Sequence, residues 1–131
     1  MQKDVNPSQI GSIALAFLGD AVYSLMARDA LLHTNNLSPN GLHKKAISMV
    51  RASAQSKGVE IILPLLTEEE EAVFKRGRNV NSTKIPKNAD AIDYRRATGL
   101  ESLFGYLYLK GETERLQQLF AIIHQEMADA K

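Results

Sequence analysis

The chain of 131 residues contains no cysteine, so it can form neither a disulfide framework nor a thiolate metal site. A cytoplasmic location is compatible with that composition. No run of residues approaches the roughly 20 apolar positions that a membrane-spanning helix requires. The N-terminus also lacks a basic stretch followed by an apolar segment and a small-residue cleavage site, and we therefore expect a protein that is not exported.

Strand patterns and internal repeats are also missing, and the patterns that are present are helical. The hydrophobic fraction of 44% and the charged fraction of 24% are typical of an ordinary globular protein. The net charge of +1 indicates no particular partner. The length suits a single domain over residues 1–131. Apolar spacing and capping residues predict an all-α bundle of roughly five to seven helices.

Local signals divide the predicted bundle into its helices. Ser38 followed by Pro39 opens one helix, and Thr67 with Glu70 has the spacing of a capping box at the start of another. Gly111 suits the position just after a helix end. The third helix is either separate from the second or continuous with it. The expected helices lie at about 7–33, from 39 to about 51, 53–66, from 67 to about 76 and 90–110, with a last helix that frays after about residue 127.

One carboxylate, that of Asp20, interrupts the apolar first helix. Apolar residues occupy more than one face of this helix, which predicts that it is central and buried. A buried carboxylate is costly unless it is paired, hydrogen-bonded or bound to a cation. Gly19 costs about 1 kcal/mol of helix propensity relative to alanine, which indicates that another segment approaches the backbone there. Asp20 is therefore either a structural group, satisfied by an arginine or a helix N-terminus, or a functional one.

A second carboxylate, that of Glu101, interrupts the apolar stripe of the long helix in the same way. Two acids on inward rows could meet and hold one hard cation, because Mg²⁺ typically takes one or two protein carboxylates and keeps several waters. The residues alone do not establish that pairing, and a single inward glutamate is commonly the partner of an arginine. The three histidines have no ligand-like spacing, and we expect none of them to bind a metal.

A basic segment follows the fourth helix, where Gly77 to Asn88 is expected to form an exposed loop. Such a charge run is commonly just solvated, but arginine and lysine among asparagine, serine and threonine are also typical of phosphate contacts. No aromatic residue lies in the loop, which favours contact with a duplex backbone over base stacking. His43, beside Lys44, is either a surface histidine or a second contact to such a duplex. The candidate phosphate-binding residues here are Lys75, Arg76, Arg78, Lys84 and Lys87.

Two segments resemble the ribonuclease III family. Residues 17–22, Phe-Leu-Gly-Asp-Ala-Val, are similar to its signature helix, and residues 101–109, which begin Glu-Ser-Leu-Phe-Gly, are similar to its second acidic element. The chain resembles the Mini-ribonuclease III branch more closely. The larger enzymes carry further acids at the positions of Ala16 and Thr98, which the Mini branch lacks. The resemblance spans about residues 8–125, the expected core of one catalytic domain, and its other motifs lie at 42–45, 75–79, 86–88 and 94–96.

This resemblance implies a Mg²⁺-dependent endoribonuclease that hydrolyses double-stranded RNA and leaves 5′-phosphate and 3′-hydroxyl ends. Asp20 and Glu101 would be the catalytic residues and the metal ligands, with waters and an RNA phosphate completing the site. The basic residues, with His43 and Lys44, would contact the RNA. The family works as a homodimer. A second apolar face on the first helix is consistent with such self-association, and burial inside one chain explains it equally well. This branch lacks the double-stranded-RNA-binding domain of the larger enzymes.

The substrate implied for the Mini branch is precursor large-subunit ribosomal RNA in a bacterial cytoplasm, which would place the chain in ribosome biogenesis. A ribosomal-protein helper is left open. Tyr94, Arg95 and Arg96 either pair with nearby acids or face the site. Two alternatives from other classes stand beside the nuclease. One is a ribonuclease III-like module that binds RNA without cutting it, and the other is a helical protein-interaction module whose basic loop is incidental.

Overall fold

The computed structural model describes residues 5–34, 36–80 and 85–129. Over these ranges the chain forms α-helices and short 3₁₀ turns, at Pro7–Gln9 and Leu63–Leu65, and no strand, so the predicted all-α class is confirmed. None of the described helices is long and apolar enough to cross a membrane. The α-helices are α1 (Ser12–Thr34), α2 (Pro39–Val50), α3 (Ala52–Ile62), α4 (Glu68–Arg78), α5 (Ala91–Lys110) and α6 (Thr113–Asp129).

Several helix ends lie where capping residues predicted them. The Ser38 side chain accepts a hydrogen bond from the Gly41 amide at the start of α2. At the start of α4, Thr67 and Glu70 form the reciprocal capping box, with hydrogen bonds of 2.9 and 3.1 Å. Gly111 follows α5 with a φ of 81°, in the left-handed region that favours glycine.

Other boundaries differ from the prediction. The first α-helix begins at Ser12, because the segment from Pro7 to Gln9 forms a separate 3₁₀ turn that is capped by Asn6. α2 and α3 are two helices, since Arg51 between them is extended, with φ −65° and ψ 155°. α4 continues to Arg78, two residues beyond the expected end.

The central helix of the bundle is α5. It contacts α1, α3, α4 and α6, and its Leu100, Leu103 and Phe104 have no exposed surface. The ring of Tyr23 on α1 lies 5.2 Å from that of Phe104 and 5.3 Å from that of Phe120 on α6. Aromatic contacts of this kind join three helices into one core.

The prediction that α1 is buried on all sides is wrong for this chain alone. Leu15, Val22 and Leu31 are buried in the core, but Phe17 is 84% exposed and Leu25 is 68% exposed. The apolar residues of α1 do occupy more than one face of the helix, as the sequence indicated. Within the described ranges, however, no other helix covers the second face.

α1 and α5 cross with their backbones in direct contact. A Cβ atom added at Gly19 would overlap the carbonyl oxygen of Glu101, and one added at Gly105 would overlap the carbonyl oxygen of Leu15. The inference that another segment approaches Gly19 closely is therefore confirmed. The crossing also sets the positions of the two acids, since Asp20 is next to Gly19 and Glu101 is the residue that Gly19 faces.

Candidate active site

The structure brings the carboxyl groups of Asp20 and Glu101 together at the crossing of α1 and α5. They lie close enough for the negative charge of Asp20 to act on Glu101, and Asp20 is exposed while Glu101 is partly buried. Asp20 was expected on an inward row and instead lies where solvent reaches it. No ion pair among the described residues includes either acid, so the arginine partner considered for each is absent from this part of the chain.

The environment of Glu101 disfavours its charged form. Burial and the negative charge of Asp20 raise the pKa of Glu101 to about 8, while a hydrogen bond from Gln55 opposes that rise. A carboxyl group with a raised pKa beside a second carboxylate is typical of functional sites, because a bound cation relieves the repulsion between the two charges. The donors here are all oxygens, which suits a hard divalent ion.

Gln55 of α3 is a third member of the site that the sequence did not predict. Its Nε2 donates a hydrogen bond of 3.5 Å to Oε2 of Glu101, and the residue is 1% exposed. Its Oε1 is buried without a hydrogen-bond partner among the described residues. The available signal was its spacing, since Gln55 shares a helical face with the buried Val59 and Ile62.

The site offers two carboxylates rather than a larger cage. Within residues 5–34, 36–80 and 85–129, no group of three or more histidine and acidic side chains could hold a metal ion. At the two positions where the resemblance implies further acids in larger enzymes, Ala16 is buried and Thr98 donates its hydroxyl to the Tyr94 carbonyl at 3.0 Å. The residues present therefore fit a cation that keeps most of its waters, as Mg²⁺ does.

The basic end of α4 lies against the part of α5 that carries Glu101. A Cβ at Gly77 would overlap the side chain of Ser102, the residue after Glu101. Lys75 and Arg76, which precede Gly77 in α4, are exposed, and the guanidinium of Arg78, which follows it, lies 5.7 Å from the centre of the Phe74 ring. Three of the predicted phosphate-binding residues, Lys75, Arg76 and Arg78, therefore belong to the helix turns beside the acid pair.

The other predicted RNA contacts are placed differently. Lys87 is exposed in the turn that precedes α5, and Lys84 lies outside the described residues. His43 and Lys44 are exposed on α2, which packs on α1 and α3.

Two arginines early in α5 have partners other than the acid pair. Arg96 donates to Glu60 at 2.9 Å and to Ser56 at 3.5 Å, which ties α5 to α3. Arg95 donates to the carbonyl of Val80 at 3.4 Å, just beyond the end of α4. Both contacts hold neighbouring segments on α5.

A separate cavity of about 470 Å³ lies between α1, α2, α3 and α6. Tyr23, Met49 and Phe120 are among the residues that line it, and neither Asp20 nor Glu101 is. The acid pair thus lies outside this cavity. Because Asp20 is exposed, solvent reaches the acid pair directly.

Comparisons with known proteins agree on one family. The family model for the ribonuclease III domain matches residues 13–112. The Mini-ribonuclease 3 of Brevibacillus brevis is 47% identical over 133 residues, which cover 96% of this chain and 99% of the relative. That of Enterococcus faecalis is also 47% identical, covering 85% of this chain and 86% of the relative. The crystal structure of protein FN1578 from Fusobacterium nucleatum has a TM-score of 0.82 at 28% identity, covering 96% of this chain and 99% of that one.

The chain therefore belongs to the ribonuclease III family and is an endoribonuclease of that type. Within the family it is a member of the Mini-ribonuclease III branch, to which it is similar over most of its length. The family resemblance and the helical fold expected from the sequence are both confirmed. Enzymes of this family are typically metal-dependent.

Proposed function

We propose that the chain hydrolyses phosphodiester bonds in double-stranded RNA, with a Mg²⁺ ion held by Asp20 and Glu101. The observation that carries the proposal is the pairing of these two carboxyl groups, which have no arginine or lysine partner among the described residues. When bound, the ion supplies an activated water and offsets negative charge in the transition state. The products would carry 5′-phosphate and 3′-hydroxyl ends.

Within the site each residue has a distinct part. Asp20 is exposed, so it can bind the ion at the surface that the RNA reaches. Glu101 is partly buried and receives the hydrogen bond from Gln55, so its carboxylate is held in place. An acid pair open to solvent suits a polymer substrate, because a duplex cannot enter a closed pocket.

We propose that the basic residues near the pair bind the phosphates of the duplex. Lys75, Arg76 and Arg78 support this, because the α4 turns that carry them pack beside Glu101. Lys84 and Lys87 would extend the contact along the loop, and His43 and Lys44 would add a second one from α2. Contacts of this kind read the shape and charge of the duplex rather than its base sequence.

We also propose that residues 1–131 act as one catalytic domain and that two copies form a homodimer. The exposed apolar face of α1, which we call the α1 face, supports the dimer, since large side chains in water favour association. The residues of the α1 face are Ile13, Phe17, Leu25 and Leu32, which are 46%, 84%, 68% and 69% exposed.

The substrate we propose is precursor large-subunit ribosomal RNA in the bacterial cytoplasm, as the resemblance to the Mini branch implies. The chain would then take part in ribosome biogenesis. A ribosomal-protein helper would act by presenting that RNA. Assays with the purified chain, first alone and then with candidate ribosomal proteins, address this point.

The central test is cleavage of an end-labelled RNA hairpin by the purified chain with Mg²⁺ or with EDTA. We expect Asp20→Asn and Glu101→Gln each to lower the cleavage rate by about 10³-fold or more, because a metal contributes several kcal/mol and about 1.4 kcal/mol is tenfold. Binding of the hairpin, measured by gel shift in EDTA, should be retained.

Asp29→Asn is the matched control, since Asp29 is an exposed acid on the same helix as Asp20. It should cleave at the rate of the unchanged protein. Full activity in either site variant would contradict the proposal. Binding without cleavage in the unchanged protein would instead favour a non-catalytic RNA-binding module.

A further inference from the structure

Gln55 is a buried amide of which only one end is satisfied. It lies on α3 with 1% of its surface exposed, and its Nε2 donates to Oε2 of Glu101 at 3.5 Å. Its Oε1 is the one buried side-chain polar atom without a hydrogen-bond partner in the described ranges. An unpaired buried oxygen is destabilising, and an apolar side chain of the same size would avoid that cost.

Neighbouring buried polar groups are satisfied within the protein. Ser56, the next residue of α3, accepts a hydrogen bond from Arg96, and Ser102, next to Glu101, donates to the Ser12 carbonyl at 2.9 Å. The oxygen of Gln55 therefore differs from these neighbouring polar atoms, which have hydrogen-bond partners within the protein. Such an exception calls for a partner that the protein itself does not supply.

The orientation of the amide follows from its neighbour. An amide oxygen turned toward an ionised carboxylate would be repelled, so Nε2 faces Glu101 whenever Glu101 is charged. Because Nε2 and Oε1 are bonded to the same carbon, Oε1 then lies within a few ångströms of the Glu101 carboxylate that Nε2 contacts. The unpaired acceptor is thus next to the place where the proposed cation binds.

We propose that Gln55 is a positioning residue for the cation site, an inference that rests on the function proposed above. The hydrogen bond from its Nε2 holds the Glu101 carboxylate in the orientation that binds the ion. Its Oε1 accepts a hydrogen bond from a water molecule at the site. A Mg²⁺ ion with two protein ligands keeps several waters, and waters on a cation are donors that need acceptors around them.

The test is Gln55→Met, which keeps the length of the side chain but removes both polar atoms. We expect the affinity for Mn²⁺, measured from the electron paramagnetic resonance signal of the free ion, to fall roughly 10- to 100-fold. The midpoint of urea unfolding in EDTA should stay the same or rise, because an unpaired buried oxygen is removed. Loss of cleavage should be partly reversed by raising the Mg²⁺ concentration.

Two controls separate this inference from the proposed function. Ser56→Ala removes a buried polar group from the same helix and should leave Mn²⁺ affinity unchanged, while Glu101→Gln should abolish binding. If the unchanged protein binds Mn²⁺ no better than Glu101→Gln, the proposed function fails. If it binds Mn²⁺ and Gln55→Met binds equally well, the inference about Gln55 is overturned and the function stands.

A second variant covers the case in which Gln55→Met does not fold. Gln55→Leu also lacks both polar atoms, and the same Mn²⁺ titration applies to it. If both variants are unfolded in EDTA, Gln55 serves the fold rather than the cation site, and the inference is overturned.

Discussion

Glu101 links the chemistry of the site to the stability of the fold. Burial and Asp20 raise its pKa to about 8, against 4.5 for an ordinary glutamate. Between those two pH values the folded chain binds more protons than the unfolded one, so the free energy of unfolding falls as the pH rises. Ionisation of Glu101 in the folded chain costs free energy. This cost does not affect stability below about pH 4.5, and it is complete above about pH 8.

The direction of this pH dependence gives a prediction for Glu101→Gln in EDTA. We expect the free energy of unfolding of the unchanged protein to fall between about pH 5 and 8 relative to the variant. The expected difference is on the order of 1–3 kcal/mol, because one pKa unit is about 1.4 kcal/mol and solvent at Asp20 weakens the repulsion. Urea titrations at a series of pH values measure it, and parallel curves for the two proteins would contradict the assignment.

At the same scale, Gln55 shows what residue patterns leave out. The spacing of Gln55 with Val59 and Ile62 predicts that it lies on the buried face of α3, but that spacing does not indicate which residue of another helix it contacts. Asp20 and Glu101 could be selected from the sequence because each interrupts an apolar row and matches a family motif. Their contact could not be derived, because it depends on how two helices far apart in the chain cross.

At the scale of the elements, the site depends on the crossing of α1 and α5. Gly19 and Gly105 let the two backbones touch, and any side chain at either position would overlap a main-chain oxygen of the other helix. Backbone atoms within packed helices cannot move aside cheaply. Gly19 and Gly105 therefore set how closely α1 and α5 approach, and with that the positions of the two acids.

We expect Gly19→Ala to destabilise the chain by about 1–3 kcal/mol or more and to lower cleavage further than the loss of folded protein explains, because it pushes Asp20 away from Glu101. Urea unfolding and cleavage per folded molecule measure the two effects. Gly11→Ala is the matched control, since a Cβ at Gly11 has nothing within 4 Å. It should be neutral or slightly stabilising. Equal behaviour of the two variants would show that the crossing does not control the site.

The ends of the elements were the most predictable part of the structure. Ser38, the Thr67–Glu70 capping box and Gly111 act through hydrogen bonds or backbone angles within a few residues, so their effects can be read locally. The start of α1 was placed too early because Pro7 suits a 3₁₀ turn as well as an α-helix. Propensity alone does not separate those two outcomes.

At the scale of the whole molecule, the α1 face is the feature that the single chain leaves unexplained. The sequence indicates that α1 is apolar on more than one face, which self-association and burial within one chain explain equally well, and the structure leaves the second face of α1 exposed in the single chain. Periodicity identifies an apolar face but does not say which element, or which second molecule, covers it. The all-α class was predictable, because it depends on the sum of many local patterns.

The proposed dimer gives the prediction that belongs to this scale. We expect Phe17→Glu to weaken self-association by at least about 2 kcal/mol, or about 30-fold in the dissociation constant, because a charge would replace an aromatic group that the proposed dimer buries. Analytical ultracentrifugation over a range of concentrations measures it. The exposed position of Phe17 means that the fold of one chain should be kept.

Leu65→Glu provides the comparison for this experiment. Leu65 is an apolar residue, 48% exposed, that lies away from α1 in the second 3₁₀ turn. This change should leave association as it is. A monomeric unchanged protein, or a Phe17→Glu variant that associates normally, would rule out the α1 face as the dimer contact.

The backbone contact at Gly19 and Gly105 also bears on how the enzyme can diversify. Main-chain atoms have no alternative rotamers, so the spacing of the two acids stays constant while surrounding side chains are exchanged. If the pair holds a metal ion as we propose, selection for a different preferred ion would therefore act on the residues around the pair, Gln55 first among them, and leave the helix crossing as it is.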